Sequence, residues 1–224
     1  MNLRHIAIST VFSVLIITFL LGTDFWKEKE SSTWSINECN RILTKSPWAF
    51  SDSFGRATYR EGLFHCRLIS AKPIRLAMIR LGQIQNPNDE AMKFQMDKEL
   101  TIKPEERILI QISYQVEPGM IKVFNSLHSF FGRAHTGHFR GNTLLSSSEG
   151  VFVPLSEYRP WTTSRPNPVF VFPRFDENGD LYFTGKEEVI TLRSEFSVPT
   201  SGRNYRIFIT MNPKDMWYQG EFEL

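Results

Sequence analysis

His128, His135 and His138 are the residues whose type and spacing point most directly to chemistry. They lie in LHSFFGRAHTGHFRGN and make up three of the five histidines. Neutral imidazoles ligate zinc and similar ions, and the His-x-x-His spacing of His135 and His138 can bring two ring nitrogens to one centre. A catalytic zinc wants a third ligand, for which His128 is available, and an open position. No glutamate adjoins the pair to act as base, unlike the helical HExxH arrangement. The alternative is a solvated loop that happens to hold histidines. Zinc is the cofactor these residues raise.

Other chemistry is thinner. Asp176, Asn178 and Asp180 alternate like the start of a calcium loop, and Glu187 stands at its twelfth position. Asn178-Gly179 is equally a hairpin turn, which needs no metal. Cys39 and Cys66 can form a disulfide in an oxidising compartment. Closing that loop would add about 3–4 kcal/mol in the chain-entropy account; the alternative is two separately buried thiols. Glu38, Asp52, Glu61, Glu157 and Glu195 are the carboxylates available for acid–base work, and nothing in one dimension pairs them. Ser146-Ser147-Ser148 lacks the glycine elbow of a hydrolase serine. There is no phosphate-cradling glycine loop and no dinucleotide fingerprint. Trp34, Trp48, Trp161, Trp217 and Tyr218 can line a groove or pack a core.

The elements that position these residues are mostly strands. Ser35 and Glu38 form a capping box that opens a helix over 35–45, ended by Ser46-Pro47. A polar stretch over 51–62 leads to a strand over 63–69. A second helix, capped by Ser70 and with Pro73 in its first turn, presents Ile74, Ala77, Met78, Leu81 and Ile84 on one face. The segment 90–99 leans towards helix. From Arg107 onwards the pattern is β: strands are expected over 108–114, 121–124, 151–155, 169–175, 181–184, 188–196, 205–211 and 216–224, with a polar loop over 125–150. The expected fold is therefore α+β, mainly antiparallel β as a sandwich or open barrel, with two to three helices.

The start of the chain sets its compartment. A basic residue, Arg4, precedes the uncharged apolar run Ile6 to Gly22, the layout of a secretory signal or a membrane anchor. The positive-inside rule places the remainder outside the cytosol: periplasmic, secreted, or anchored in the inner membrane. Residues 1–23 then form the leader or anchor, 24–33 a linker and 34–224 a single domain. Membrane contact is expected only through residues 6–22, if they are retained. The formal charge of +2 shows no basic excess of the kind a nucleic-acid binder carries.

The segment Trp34, Glu38, Cys39 and Ile42 to Ala49, the helix Ser70 to Ala77, and the end Phe208 to Met211 with Lys214 to Leu224 resemble uncharacterised exported bacterial proteins. The resemblance implies export and a shared fold, with no site. The expected role is a non-enzymatic module that binds an envelope protein or another ligand. One alternative is a metal-dependent hydrolase using His128, His135 and His138. Another is a structural subunit of a membrane-anchored envelope complex.

Overall fold

The computed structural model describes residues 24–101, 106–163 and 165–224. The apolar run 6–22 lies outside the described residues. Within them no helix is long and apolar enough to cross a membrane.

The fold is α+β, with its strands in antiparallel sheets. The first sheet is ordered β1-β2-β3-β7-β6: Ala49–Arg56, Tyr59–Leu68, Arg107–Val116, Val169–Pro173 and Glu157–Arg159. The second is ordered β5-β4-β8-β9: Phe152–Pro154, Thr143–Ser147, Ile190–Val198 and Arg203–Met211. A hairpin of two short strands, β10 (Trp217–Tyr218) and β11 (Glu221–Phe222), ends the chain.

The two sheets meet at both edges. The chain steps from β5 to β6 with Leu155 N donating to Thr143 O (3.1 Å) and Ser156 N to Val171 O (2.9 Å). At the other seam, Phe208 N of β9 donates to the Asp52 carboxylate of β1 at 2.8 Å. An edge N–H that has no strand partner is satisfied there by a side chain. The two antiparallel sheets are thus joined at both edges around one interior, within the expected sandwich or open barrel.

An aromatic core fills it. Helix α5 (Ile121–Arg133) contributes Phe131, whose ring stacks on Tyr114 (5.4 Å) and meets Phe64 edge-on (6.4 Å), while Phe130 stacks on Phe196 (5.4 Å). Phe139 joins Phe170 (5.0 Å) and Phe196 (5.6 Å), so rings from both sheets interlock. Such edge and offset contacts add about 0.5–1.5 kcal/mol per pair beyond area burial.

The remaining helices are α1 (Phe25–Glu28), α2 (Ile36–Lys45), α3 (Lys72–Gln85) and α4 (Glu90–Thr101). Helix α2 starts as predicted: Ser35 Oγ accepts from Glu38 N (3.3 Å), and Glu38 Oε2 accepts from Ser35 N (2.7 Å). Several expectations need correction. Residues 24–33 are not a linker, because α1 and a 3-10 turn (Ser31–Thr33) pack onto the domain and bury Trp26 against Trp48. The polar stretch after Ser51 is strand β1, whose outward residues carry hydroxyls and so hide its β character. Residues 121–124 begin a helix; Phe124, Leu127 and Phe131 follow helical spacing, which a short apolar run obscures. Residues 181–184 make only a single bridge, Phe175 to Leu181. Residues 216–224 fold back on themselves through Gln219 (φ 52°) and Gly220 (φ 84°), rather than running as one strand.

Candidate ligand-binding groove

The structure does not bring the three histidines to one centre. His128 is exposed on α5, stacked between Phe124 (5.6 Å) and Trp161 (4.5 Å), with its Nδ1 3.0 Å from the Tyr114 hydroxyl. His135 and His138 do come together, with ring centroids 4.1 Å apart on the 3-10 turn Thr136–His138. Each spends its Nδ1 on local backbone: His135 Nδ1 accepts from Gly137 N (3.2 Å) and His138 Nδ1 from His135 N (3.3 Å). Among the described residues no group of three His, Cys, Asp or Glu side chains is placed to hold a metal. The described residues thus do not set His128, His135 and His138 around one centre.

The other candidates disperse as well. Asp176 Oδ1 accepts from Asn178 N and Asp180 N, both at 2.9 Å, which closes a turn and holds its carboxyl below the usual range, chiefly through the Asp180 bond. The Glu187 carboxylate instead turns onto Thr184 N (2.8 Å) and Gly185 N (2.9 Å), so it does not complete a calcium loop. Cys39 and Cys66 are free buried thiols, not a disulfide. Cys39 sits on α2, whereas Cys66 lies on the inner face of β2. Trp34, Trp48 and Tyr218 are core residues and form no open groove. The five carboxylates are committed elsewhere: Glu38 to the α2 cap and Lys29, Asp52 to the seam, Glu61 to Arg203 (2.6 Å), Glu157 to Arg159 (2.9 Å) and Glu195 to Arg193 (2.9 Å).

What the fold does assemble is a polar groove on the outer face of the first sheet. Register brings three rows together: Ala49, Arg67 and Gln111; Ser51, His65 and Ser113; Ser53, Leu63 and Gln115. Period-two alternation sends Phe64, Cys66, Leu68, Ile110 and Ile112 inward and leaves these residues on the outer side. The last turn of α2, with Leu43 and Thr44, walls one side and encloses about 330 Å3. That is at the lower end of the about 300–1,000 Å3 typical of small-ligand sites.

Two interactions define the groove chemically. Ser51 Oγ lies 2.7 Å from His65 Nδ1, a cross-strand pair. Asp52, next in sequence to Ser51, points to the opposite face and serves Phe208, so no acid orients His65 as it would in a hydrolytic triad. The Arg67 guanidinium is held by Leu43 O, the carbonyl near the end of α2 (3.0 Å to Nε), and by Gln111 Oε1 (3.5 Å to Nη1). A cation at a helix C-terminus is favourable there. Burial lowers the Arg67 pKa from the usual guanidinium value.

A larger cleft of about 500 Å3 lies over the β8–β9 face, lined by His138, Asn142, Ser197, Asn204 and Arg206 among others. It is more open, and its carboxylate, Glu195, already pairs with Arg193. Arg206 there is exposed to solvent, while Arg67 is half-buried. The smaller groove is thus the better-built site.

Sequence reading missed the groove because β1 was not expected to pair with β2. One signal was legible: His65 and Arg67 interrupt an apolar run at every second residue, as do Gln111 and Ser113 in β3.

No family model matches the chain. No curated protein matches it. A solved structure from Burkholderia pseudomallei K96243, described as a novel protein of unknown function, is similar to it with a TM-score of 0.44 and 8% identity, over 83% of this chain and 93% of that one.

Proposed function

We propose that this chain is an exported, non-enzymatic binding module of the bacterial cell envelope, belonging with the uncharacterised exported proteins it resembles, and that its ligand seats in the groove over β1, β2 and β3. The observation that carries the reading is the groove's polar floor. A sheet face exposed only to water has no need of a wall; here half-buried His65, Arg67, Gln111 and Ser113 lie beside Leu43 and Phe50, with the end of α2 as a wall. The leader over residues 6–22 supports placement outside the cytosol.

A thermal-shift screen of soluble envelope fragments tests it, run on wild type and on Ser113→Trp, which fills the groove. Compounds that raise the Tm of wild type but not of Ser113→Trp fit the reading. Compounds that stabilise both proteins equally contradict it. Fractionation of the producing cell should find the protein outside the cytosol.

A second reading rests on the Ser51–His65 pair, which has the contact a serine nucleophile needs from its base. Turnover of an ester panel that is lost in both Ser51→Ala and His65→Ala would favour it.

A further inference from the structure

The groove holds a cation and no anion. Among the described residues that line it there is no carboxylate, and Arg67 makes no salt bridge. A guanidinium carries five N–H donors. The bonds to Leu43 O and Gln111 Oε1 use one hydrogen on Nε and one on Nη1, which leaves three N–H donors without a partner among the described residues. The terminal N–H groups of a guanidinium can meet both oxygens of a carboxylate. The guanidinium is anchored through Nε, with a weaker contact at Nη1, so less side-chain freedom is lost when a ligand docks. Burial, with no carboxylate among the groove's lining residues, lowers its pKa.

Beside Arg67 stand Gln111 in its own row, Ser51, His65 and Ser113 in the next row, and Thr44 on the wall. These groups both donate and accept, and so match sugar-type hydroxyls. Resting on the binding reading above, we propose that the groove takes a hydroxyl-bearing carboxylate of acidic-sugar type, with its carboxylate on Arg67 and its hydroxyls on the serine and glutamine side chains.

The test is a titration of the 15N-labelled domain with glucuronate and with glucose, which differ at one carbon (carboxylate against hydroxymethyl). Glucuronate should shift the amides of His65, Arg67, Gln111 and Ser113 saturably, and glucose should bind at least about tenfold more weakly, as expected for loss of a charge-assisted pair. Gln111→Glu supplies an internal carboxylate next to Arg67 without altering side-chain size. It should reduce the preference for glucuronate over glucose by about tenfold or more. Arg67→Gln should do the same, but that residue also caps α2, so Gln111→Glu is the deciding variant. Equal, saturable binding of both sugars would overturn the carboxylate assignment while leaving the groove a binding site. No shift at the groove with either sugar, while the thermal-shift screen yields ligands that Ser113→Trp excludes, would overturn the acidic-sugar class alone. Silence in both experiments would overturn the binding reading as well.

Discussion

The backbone N–H of Lys72 donates to the carboxylate of Glu223 at 2.8 Å, across 151 residues of chain. Helix α3 is thus capped from the far end of the sequence. Its own N-cap residue, Ala71, has no side chain to do it, and Ser70, the expected cap, instead accepts from Leu109 N and donates to Leu224 O. Trp48 Nε1 reinforces the closure by donating to Glu223 O (2.7 Å). Glu223→Ala should cost about 1–2 kcal/mol in urea unfolding, since it leaves a part-buried donor unpaired. A loss below a few tenths of a kcal/mol would contradict the capping role.

The same residue sets a pH dependence. Burial raises the Glu223 pKa, against the opposing pull of the Lys72 N–H, Arg75 and Arg174. The folded state therefore holds this proton more tightly than the unfolded chain does. Its stabilising contribution is complete below the unfolded pKa and is lost as pH rises through the folded one. Wild-type stability measured relative to Glu223→Gln should fall as pH is raised from 4 towards neutral, since the amide cannot titrate. A flat difference would contradict it.

The capping box of α2 was legible because both partners lie within one turn, and the Glu223 cap was not, because nothing local links residues 72 and 223. The same division holds elsewhere. The strands β3, β8 and β9 announce themselves by alternation, while β1 and α5 are hidden by hydroxyl side chains and by a short apolar run. At the site, His65 and Arg67 show their shared face in sequence. The rows they form with Ser51 and Gln111 depend on strand register, which a one-residue slip would destroy.

The seam between the sheets is a second test of tertiary pairing. Asp52→Ala removes the acceptor of Phe208 N. A loss of about 1–2 kcal/mol is expected, with faster hydrogen exchange at the Phe208 amide than at its neighbours in β9. Unchanged exchange there would show that the seam does not depend on Asp52.

Cys39 and Cys66 should be silent in the folded protein. Burial pushes the Cys39 thiol up to about 11 and raises that of Cys66 too, so neither offers thiolate at pH 7. Thiol titration should find no fast-reacting group in the native state and two on unfolding. Two missing thiols after unfolding would instead indicate the disulfide.

Gly132 lies under Trp161: a Cβ there would meet the indole Nε1 at 2.7 Å. Alanine normally favours a helix by up to about 1 kcal/mol over glycine. Here Gly132→Ala should be net destabilising by about 1 kcal/mol, because the displaced indole loses its bond to His128 O (3.1 Å) and its stack on the imidazole. Tryptophan fluorescence and unfolding midpoints read both effects, and a stabilised variant would contradict this packing.

A 15N amide perturbation map for the strongest compound from the thermal-shift screen locates the ligand. Shifts are expected to cluster at Ser51, His65, Arg67, Gln111 and Ser113, on the outer face of β1, β2 and β3. Shifts clustered instead at His138, Asn142, Asn204 and Arg206 would place the ligand over β8 and β9 and contradict the groove assignment.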